Sequence, residues 1–536
     1  MIDTHSHIAI NTERLDFVVL SGSNLEDSKK NIELAKSNPK LKASVGIHPQ
    51  EMITDNRAQI TELENLLKNN KNIVAIGECG LDYSNPPKSP FDKGDFKEME
   101  IVFRSQIELA IKYKKPLIIH SRKAMDETIE ILKNYKNISG VIHCYTGGVK
   151  RIKNVPTASG RSSKFGKTSF DDLVFVPAQL VKRPVDYYRE EIRSRTVLGR
   201  FSKKPIEIET PIIMGAMSFG AISREAKVAL AKAATLAGTM ENTGEGGMLP
   251  EEREFAKFLI IQYSTGRFGI TEEILKKADA IEIKIGQGAK GGMGGLLPGG
   301  KVTEEIAKIR NVPVGKAVRS PAYHLDIKNI EDLRKKVEWL RELTGGAPII
   351  LKLAAGDVEN DLKLAVKANP DIIAIDGMEG GTGAAPEVML DEVGIPTLAA
   401  LVKAREVLDK LDARQELWVG GGLQKGGDFA KALALGADVV FCATALLIAM
   451  GCNYCRLCYL GKCPFGISTQ DSELRKKLNI EQASQNVANF IKNCTEEIKM
   501  IAGACGENDI HKLNKSHLRG LNSEISKITG VKLISN

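Results

Sequence analysis

The sequence predicts an α/β protein in two parts: a complete (β/α)8 barrel over residues 170–536, preceded by a partial, barrel-like segment over residues 1–155. Three observations carry this. Short β-branched apolar runs alternate with amphipathic helical stretches along most of the chain, which is the pattern of parallel βα units. Eight such runs with polar or glycine-rich carboxyl ends fall between Pro211 and Thr444, the number that closes a barrel. Between the two parts, TASGRSSKFGKTS (Thr157–Ser169) has almost no large apolar residue and reads as a linker, placed at residues 156–169.

Bulk properties bound the class. A chain of 536 residues should hold two or more domains, and 26% charged with 43% hydrophobic residues is ordinary for a water-soluble protein. The net charge of +8 is small for this length and forms no basic arm, so nucleic-acid binding is not implied. The longest mainly apolar run, Ala437–Gly451, is too short for a membrane span and reads as a strand running into a helix. MIDTHSH opens a motif at once, so no leader is expected and the expected compartment is the cytoplasm. Nine cysteines, an odd and partly dispersed set, fit a reducing compartment. Five of them, Cys79, Cys144, Cys442, Cys494 and Cys505, read as small buried apolar residues.

In the first part each apolar run ends in a side chain that can bind a metal. DTHSH places His5 and His7 two apart on a short strand, so both project from one face. VGIHP then gives His48, IVAIGECGLD gives Glu78 and Asp82, PLIIHSR gives His120, and GVIHCYTGG gives His143. Helical stretches such as FRSQIELAIKY and AMDETIEILKNY lie between them, so the strand ends should converge on one mouth. These motifs, in this order, resemble the TatD family of metal-dependent hydrolases. The resemblance implies that His5, His7, Glu78, His120 and His143 hold one or two divalent metals, which activate water for phosphodiester cleavage. The family's final acidic ligand, an Asp in a motif like ETDxP, does not follow HCYTGG before the second part begins. The closing strands are missing with it, so the segment is expected to be a remnant that binds metal without hydrolysing DNA.

The second part opens with PIIMGAMSFGAIS, a buried strand ending at Ser218 and Gly220, before the helix SREAKVALAKAATLAG. AGTMENTGEGG follows as a second strand, whose glycines allow the backbone close to a ligand. LIIQYSTGRFG, AIEIKIGQGAKGGMGG, APIILKLAAG, IIAIDGMEGGTGAAP, LWVGGGL and DVVFCAT complete the eight, with helices such as IEDLRKKVEWLREL and DVENDLKLAVKANP between them. Backbone N–H groups of Gly421 and Gly422, after the seventh strand, and of Ala443 and Thr444, after the eighth, can converge on one phosphate. Directly beyond come Cys452, Cys455, Cys458 and Cys463, the last followed by Pro464. A single compact run ending in Cys-Pro favours an iron–sulfur cluster over zinc, whose sites usually come as two separated CxxC knuckles.

AMSFG, ENTGEGG, TGRFG, GQGAKGGMGG, SPAYHLDI, GGTGAAP and the cysteine run together resemble the FMN-binding synthase domain of glutamate synthase, nearly end to end. By that resemblance Met217 and Ser218 contact the flavin ring or its ribityl chain. Lys352 lies near the flavin's N1 end, where a cation stabilises the anionic reduced form, and Gly421, Gly422, Ala443 and Thr444 hold the phosphate. Lys290 and Arg310 match positions that hold the 2-oxoglutarate carboxylates, although an Arg at a helix end is usually a solvated charge. Cys452, Cys458 and Cys463 match the family's C-x5-C-x4-C pattern for a 3Fe-4S centre, and the extra Cys455 leaves a 4Fe-4S cluster open. Leu296 stands where the family usually has Gln or another polar residue before LPG.

The implied reaction is reductive amination of 2-oxoglutarate with ammonia to L-glutamate. The sequence carries no glutaminase, GxGxG or NAD(P)H-binding motif of its own. Ammonia and electrons are therefore expected from separate glutaminase, GxGxG and NAD(P)H-oxidising or ferredoxin partner proteins, as in archaeal-type glutamate synthases. A related FMN enzyme such as an N-methylglutamate synthase subunit, and a TatD-like metal-dependent deoxyribonuclease, are the alternative readings.

Overall fold

A computed structural model describes residues 2–6, 17–52, 56–70, 72–83, 97–122, 124–135, 138–142, 157–160 and 169–535. The chain divides into two compact units, Met1–Gly147 and Gly148–Asn536.

In the first unit six parallel strands pair in sequence order: β1 (Ile2–Ser6), β2 (Phe17–Leu20), β3 (Leu41–Val45), β4 (Ile73–Asp82), β5 (Leu117–Arg122) and β6 (Gly140–Ile142). Such an order follows when each strand is joined to the next by a crossover of one hand. The helices are α1 (Leu25–Ser37), α2 (Asn56–Asn69), α3 (Lys97–Tyr113) and α4 (Met125–Lys133). Asn24 starts α1 by accepting the Asp27 N–H at 2.9 Å. One face of α3, with Met99, Val102, Phe103, Gln106, Ile107 and Ala110, is buried at helical spacing. Strand β4 is buried almost throughout and ends in Asp82, so its polar residues face a protein interior rather than water.

The second unit holds eight parallel strands, the eight expected from the sequence: β7 (Ile212–Met214), β8 (Met240–Asn242), β9 (Phe258–Tyr263), β10 (Ala280–Lys284), β11 (Ile349–Ala354), β12 (Ile372–Asp376), β13 (Glu416–Gly420) and β14 (Val439–Cys442). Their spatial order is β7-β14-β13-β12-β11-β10-β9-β8, which leaves β7 and β8 at the ends. Across that gap the Thr239 hydroxyl donates to the Ile212 carbonyl at 2.6 Å, drawing the sheet into a nearly closed barrel.

Ile213, Met240, Ile260, Ile350, Ala374, Trp418 and Phe441 pack into one apolar cluster, so the barrel is filled rather than hollow. The cluster is joined by the hairpin of Thr196–Leu198 and Ile206–Ile208. Helix α5 (Arg224–Ala237) starts at Ser223, whose hydroxyl accepts the Ala226 N–H, and stops at Gly238 in the left-handed region. Three further helices shape the site: α6 (Glu304–Arg310), α7 (Thr444–Met450) and the 25-residue α8 (Ile480–Ala504).

One feature of the stretch read as a linker differs from expectation. Thr157–Gly160 is a strand, paired antiparallel with Thr382–Pro386. Its polar, unalternating sequence gives no strand signal, because the partner is remote in the chain. Among the described residues no helix is long and apolar enough to cross a membrane.

Candidate active site

The carboxyl ends of the second unit's strands surround a cavity of 470 Å³. Gly421, Gly422, Ala443 and Thr444, the four residues expected to converge on a phosphate, all line it. Gly421 has φ +115°, and a Cβ there would stand 2.5 Å from Thr397 Oγ1 and 3.0 Å from the Gly377 nitrogen, so no larger residue fits. Lys352, midway along β11, is 5% exposed and reaches the same cavity. Its ammonium lies 3.2 Å from Asp376 Oδ2 and 4.6 Å from the centroid of the Phe441 ring. Burial pulls this ammonium toward the neutral form, but the charges of Asp376 and Glu282 outweigh it and raise the pKa, so the group stays cationic.

A second cavity of 170 Å³ shares Ser218, Gln287, Ala443 and Thr444 with the first. Lys290, Arg310, Glu245, Leu296 and Lys301 line it, and Met217 lies on this side and not among the residues lining the larger cavity. Lys290 closes the single 3-10 turn Gly288–Lys290 and is 7% exposed. Burial, with the Lys284 charge nearby, pulls its ammonium down to about 8 against the opposing pull of Glu245. Arg310 ends α6, yet it is 5% exposed rather than solvated. Its Nε donates to the Phe219 carbonyl at 3.1 Å, and the guanidinium lies 5.7 Å from the Phe268 ring centroid. Burial draws this guanidinium down to about 10. Neither cation forms an ion pair with a carboxylate among the described residues.

Glu245 is the anion of this cavity. Burial pushes its carboxyl up, but Lys284, 2.8 Å from Oε2, outweighs burial and holds it at about 2. The Ser320 side chain adds to that lowering, and Oε1 is buried without a hydrogen bond of good geometry. Ser218 Oγ accepts the Glu245 N–H at 2.9 Å, which fixes the ENTGEGG loop against the SFG loop. Sequence reasoning does not single out Glu245, Lys284 or Lys301. The available signal is that Lys284 closes the apolar strand AIEIK, where a strand-end lysine at the barrel mouth can face a ligand.

The cysteine run follows α7. Cys452 Sγ accepts the Tyr454 N–H at 3.3 Å, Cys458 opens the turn Cys458–Leu460, and Cys463 is buried. Tyr454 and Arg456, either side of Cys455, both adopt positive φ, at 60° and 57°. Cys452 and Cys458 also line the second cavity, together with Lys290, Lys301 and Arg310. Burial pushes the Cys452 thiol up to about 11 and raises Cys458 as well, so both need a neighbouring positive charge to ionise at neutral pH. Cys79, Cys442, Cys494 and Cys505 are buried.

In the first unit His48, Glu78 and His120 bring three possible ligand atoms within 4.8 Å of one another. Glu78 Oε1 is 3.0 Å from His120 Nδ1, and Asp82 Oδ2 is 3.1 Å from His120 Nε2. Gln50 Nε2 donates to the same Asp82 oxygen at 2.8 Å. Of the five expected ligands, Glu78 and His120 come together, joined by His48 and Asp82. The backbone of His5 lies in β1, while its side chain, and all of His7 and His143, fall outside the described residues. Burial opposes the charged form of His120, but its two carboxylate neighbours outweigh this and raise its pKa.

Comparison with known proteins places residues 167–508 in the family described as the conserved region in glutamate synthase, and matches residues 2–165 to the TatD related DNase family. A glutamate synthase large subunit-like protein of Rhizobium meliloti is 42% identical over 394 residues, which cover 70% of this chain and 89% of that protein. The archaeal-type glutamate synthase (NADPH) of Thermotoga neapolitana is 42% identical over 392 residues, covering 68% and 77%. Among solved structures, a putative lactate oxidase of Pediococcus acidilactici superposes with a TM-score of 0.45 at 15% identity, covering 68% of this chain and 89% of that one.

Proposed function

The chain belongs to the glutamate synthase family, and on that footing we propose that it reductively aminates 2-oxoglutarate with ammonia to L-glutamate, as an FMN oxidoreductase that receives electrons through an iron–sulfur cluster. The observation that carries the substrate is the pair of buried cations, Lys290 and Arg310, that line one small cavity without a carboxylate partner. Burying a charge is costly unless an opposite charge meets it, so two such cations fit a dianionic ligand. FMN suits the adjoining 470 Å³ cavity, where glycine backbone and a helix start stand at one wall and Lys352 in another. The flavin supplies hydride to the carbon that becomes the amino-acid Cα.

The chain's own residues do the rest. Gly421, Gly422, Ala443 and Thr444 hold the phosphate, and Met217 and Ser218 border the ring where the two cavities meet. Lys352, kept charged by Asp376, steadies negative charge beside it. Lys290 and Arg310 bind the two substrate carboxylates. The buried Oε1 of Glu245 accepts an N–H from the bound ammonia or from the protonated imine formed between it and the substrate. Phe268 and Leu297 give the small cavity part of its apolar lining. An absorption spectrum of the purified chain tests the cofactor assignment: flavin bands with iron are expected, and a colourless protein carrying only a stoichiometric divalent ion would overturn it.

Cys452, Cys458 and Cys463 hold the cluster, taken as 3Fe-4S. Two of these thiols line one cavity and the third is buried, on one compact run of chain, which suits a thiolate-held cluster. Cys455→Ser is expected to keep full iron content and its electron paramagnetic resonance (EPR) signal, and loss of all iron in that variant would point to the four-iron form. Electrons and ammonia come from separate partner proteins in the reducing cytoplasm.

Leu296 supports a second reading of the amine. It lines the small cavity where the family usually places a polar side chain, so the site offers an apolar surface to an N-substituent, as an N-methylglutamate synthase subunit requires. Glutamate and N-methylglutamate yields from ammonium and from methylamine decide between the two.

For the first unit we propose metal binding at Glu78 and His120 without DNA hydrolysis, because the final carboxylate that would deprotonate water is not in the sequence after HCYTGG. With Mg2+, Mn2+ or Zn2+ added, the full chain should leave DNA intact. Cleavage that disappears in a His5→Ala, His7→Ala double variant would show that another carboxylate, such as Asp82, serves as the base.

A further inference from the structure

Lys301 has a setting that the substrate reading does not use. It closes the single 3-10 turn Gly299–Lys301, just after Leu296–Leu297 and just before α6, and is 6% exposed. Its ammonium donates to the Cys458 carbonyl, at the start of the turn Cys458–Leu460. Its stem runs along Gly461, whose φ is +69° and where an added Cβ would stand 3.0 Å from Lys301 Cε.

The other deeply buried lysines with an ion pair meet carboxylates: Lys227 meets Glu241 and Glu252, and Lys352 meets Asp376. Lys301 meets none among the described residues. Burial pulls this ammonium toward the neutral form, and the groups that would oppose that, once ionised, are the Cys458 and Cys463 thiols. A buried cation without an anion costs several kcal/mol, so its presence beside these two sulfurs is explained when they are thiolates of a negatively charged cluster.

We propose that Lys301 is a positioning residue for the iron–sulfur cluster, pinning the Cys458–Gly461 turn through the Cys458 carbonyl and raising the cluster's reduction potential through its buried charge. The inference rests on the cluster reading above. One electron added to the cluster makes it more negative, and a fixed cation nearby favours that reduced form, so removing the cation lowers the potential. Lys301 also ties the loop that carries Leu296 and leads into Arg310 to the loop that carries the thiols. One residue therefore sets both the placement of the cluster turn and its readiness to accept an electron.

The test uses the full chain with its iron reconstituted anaerobically. It compares Lys301→Met, which removes the charge at similar length, with Lys301→Arg, which keeps it. Iron per chain and an EPR-monitored redox titration are measured for each. Lys301→Met is expected to keep its iron while its oxidised-to-reduced ratio at a fixed potential rises about tenfold, a fall in midpoint of about 59 mV for one electron. Lys301→Arg should stay close to the unaltered protein. Full iron and an unchanged midpoint in Lys301→Met overturn the proposal. If Lys301→Met loses iron, recovery in Lys301→Arg upholds the pinning role of the cation, whereas loss in both variants shows that packing and not charge is at work, and overturns it. Absence of iron from the unaltered protein sinks the cluster reading itself, which is a separate result.

Discussion

Replacing Lys290 by Met is expected to lower kcat/KM for 2-oxoglutarate by about a hundredfold, with the flavin content unchanged. Lys290 is 7% exposed and forms no ion pair with a carboxylate among the described residues. Its charge is met only when the substrate's carboxylate arrives. Removing one partner of a buried charge pair costs about 3 kcal/mol or more, which is about two powers of ten in rate. The pH dependence has a definite sign. Because burial brings this ammonium down to about 8, it is charged below that pH and loses its proton above it. KM for 2-oxoglutarate should therefore climb as pH rises past about 8. Lys290→Arg, whose guanidinium stays protonated, should flatten that climb, and steady-state kinetics between pH 6.5 and 9.5, a range of about three units around the lysine's titration, would show it. A KM that stays level across this range in the unaltered enzyme would place the carboxylate elsewhere.

Cys458→Ser is expected to remove the cluster's iron and to stop electron entry from a protein partner, while leaving the flavin bound. Cys458 lines the small cavity, opens the turn that Lys301 holds, and is one of three thiols that match the cluster pattern. A serine hydroxyl is a far poorer iron ligand, and a three-iron cluster has no spare protein ligand. The flavin cavity is lined by none of the four cysteines of the run. Glutamate formation with a small reductant that reaches the flavin directly should therefore persist. Loss of flavin together with iron would mean that the cysteine run and the flavin cavity fold as one unit.

The parts of this account that rest on local pattern were legible in the sequence. All eight barrel strands appear as apolar runs with polar or glycine-rich carboxyl ends, and the four phosphate-binding candidates follow from where the last two of those runs stop. Contacts made across the fold were not legible. Arg310 at a helix end reads as a solvated charge, and only the approach of the Phe219 carbonyl and the Phe268 ring buries it. Glu245, Lys284 and Lys301 look like ordinary surface charges in loops or at strand ends until the barrel brings them to its two adjoining cavities. His48 and Asp82 stand in visible motifs, but their convergence on His120 depends on neighbouring strands lying in register. The pairing of Thr157–Gly160 with Thr382–Pro386 is equally non-local, and polar residues without alternation carry no signal for it.

The central claim, reductive amination of 2-oxoglutarate by this chain, is tested most directly by a single turnover. The purified protein is reduced anaerobically until its flavin absorption is bleached, then mixed with 2-oxoglutarate, with ammonium, or with both. The account predicts that the flavin absorption returns rapidly only with both present, and that about one L-glutamate forms per flavin. Flavin that stays bleached with both, or that returns equally with 2-oxoglutarate alone, would contradict it.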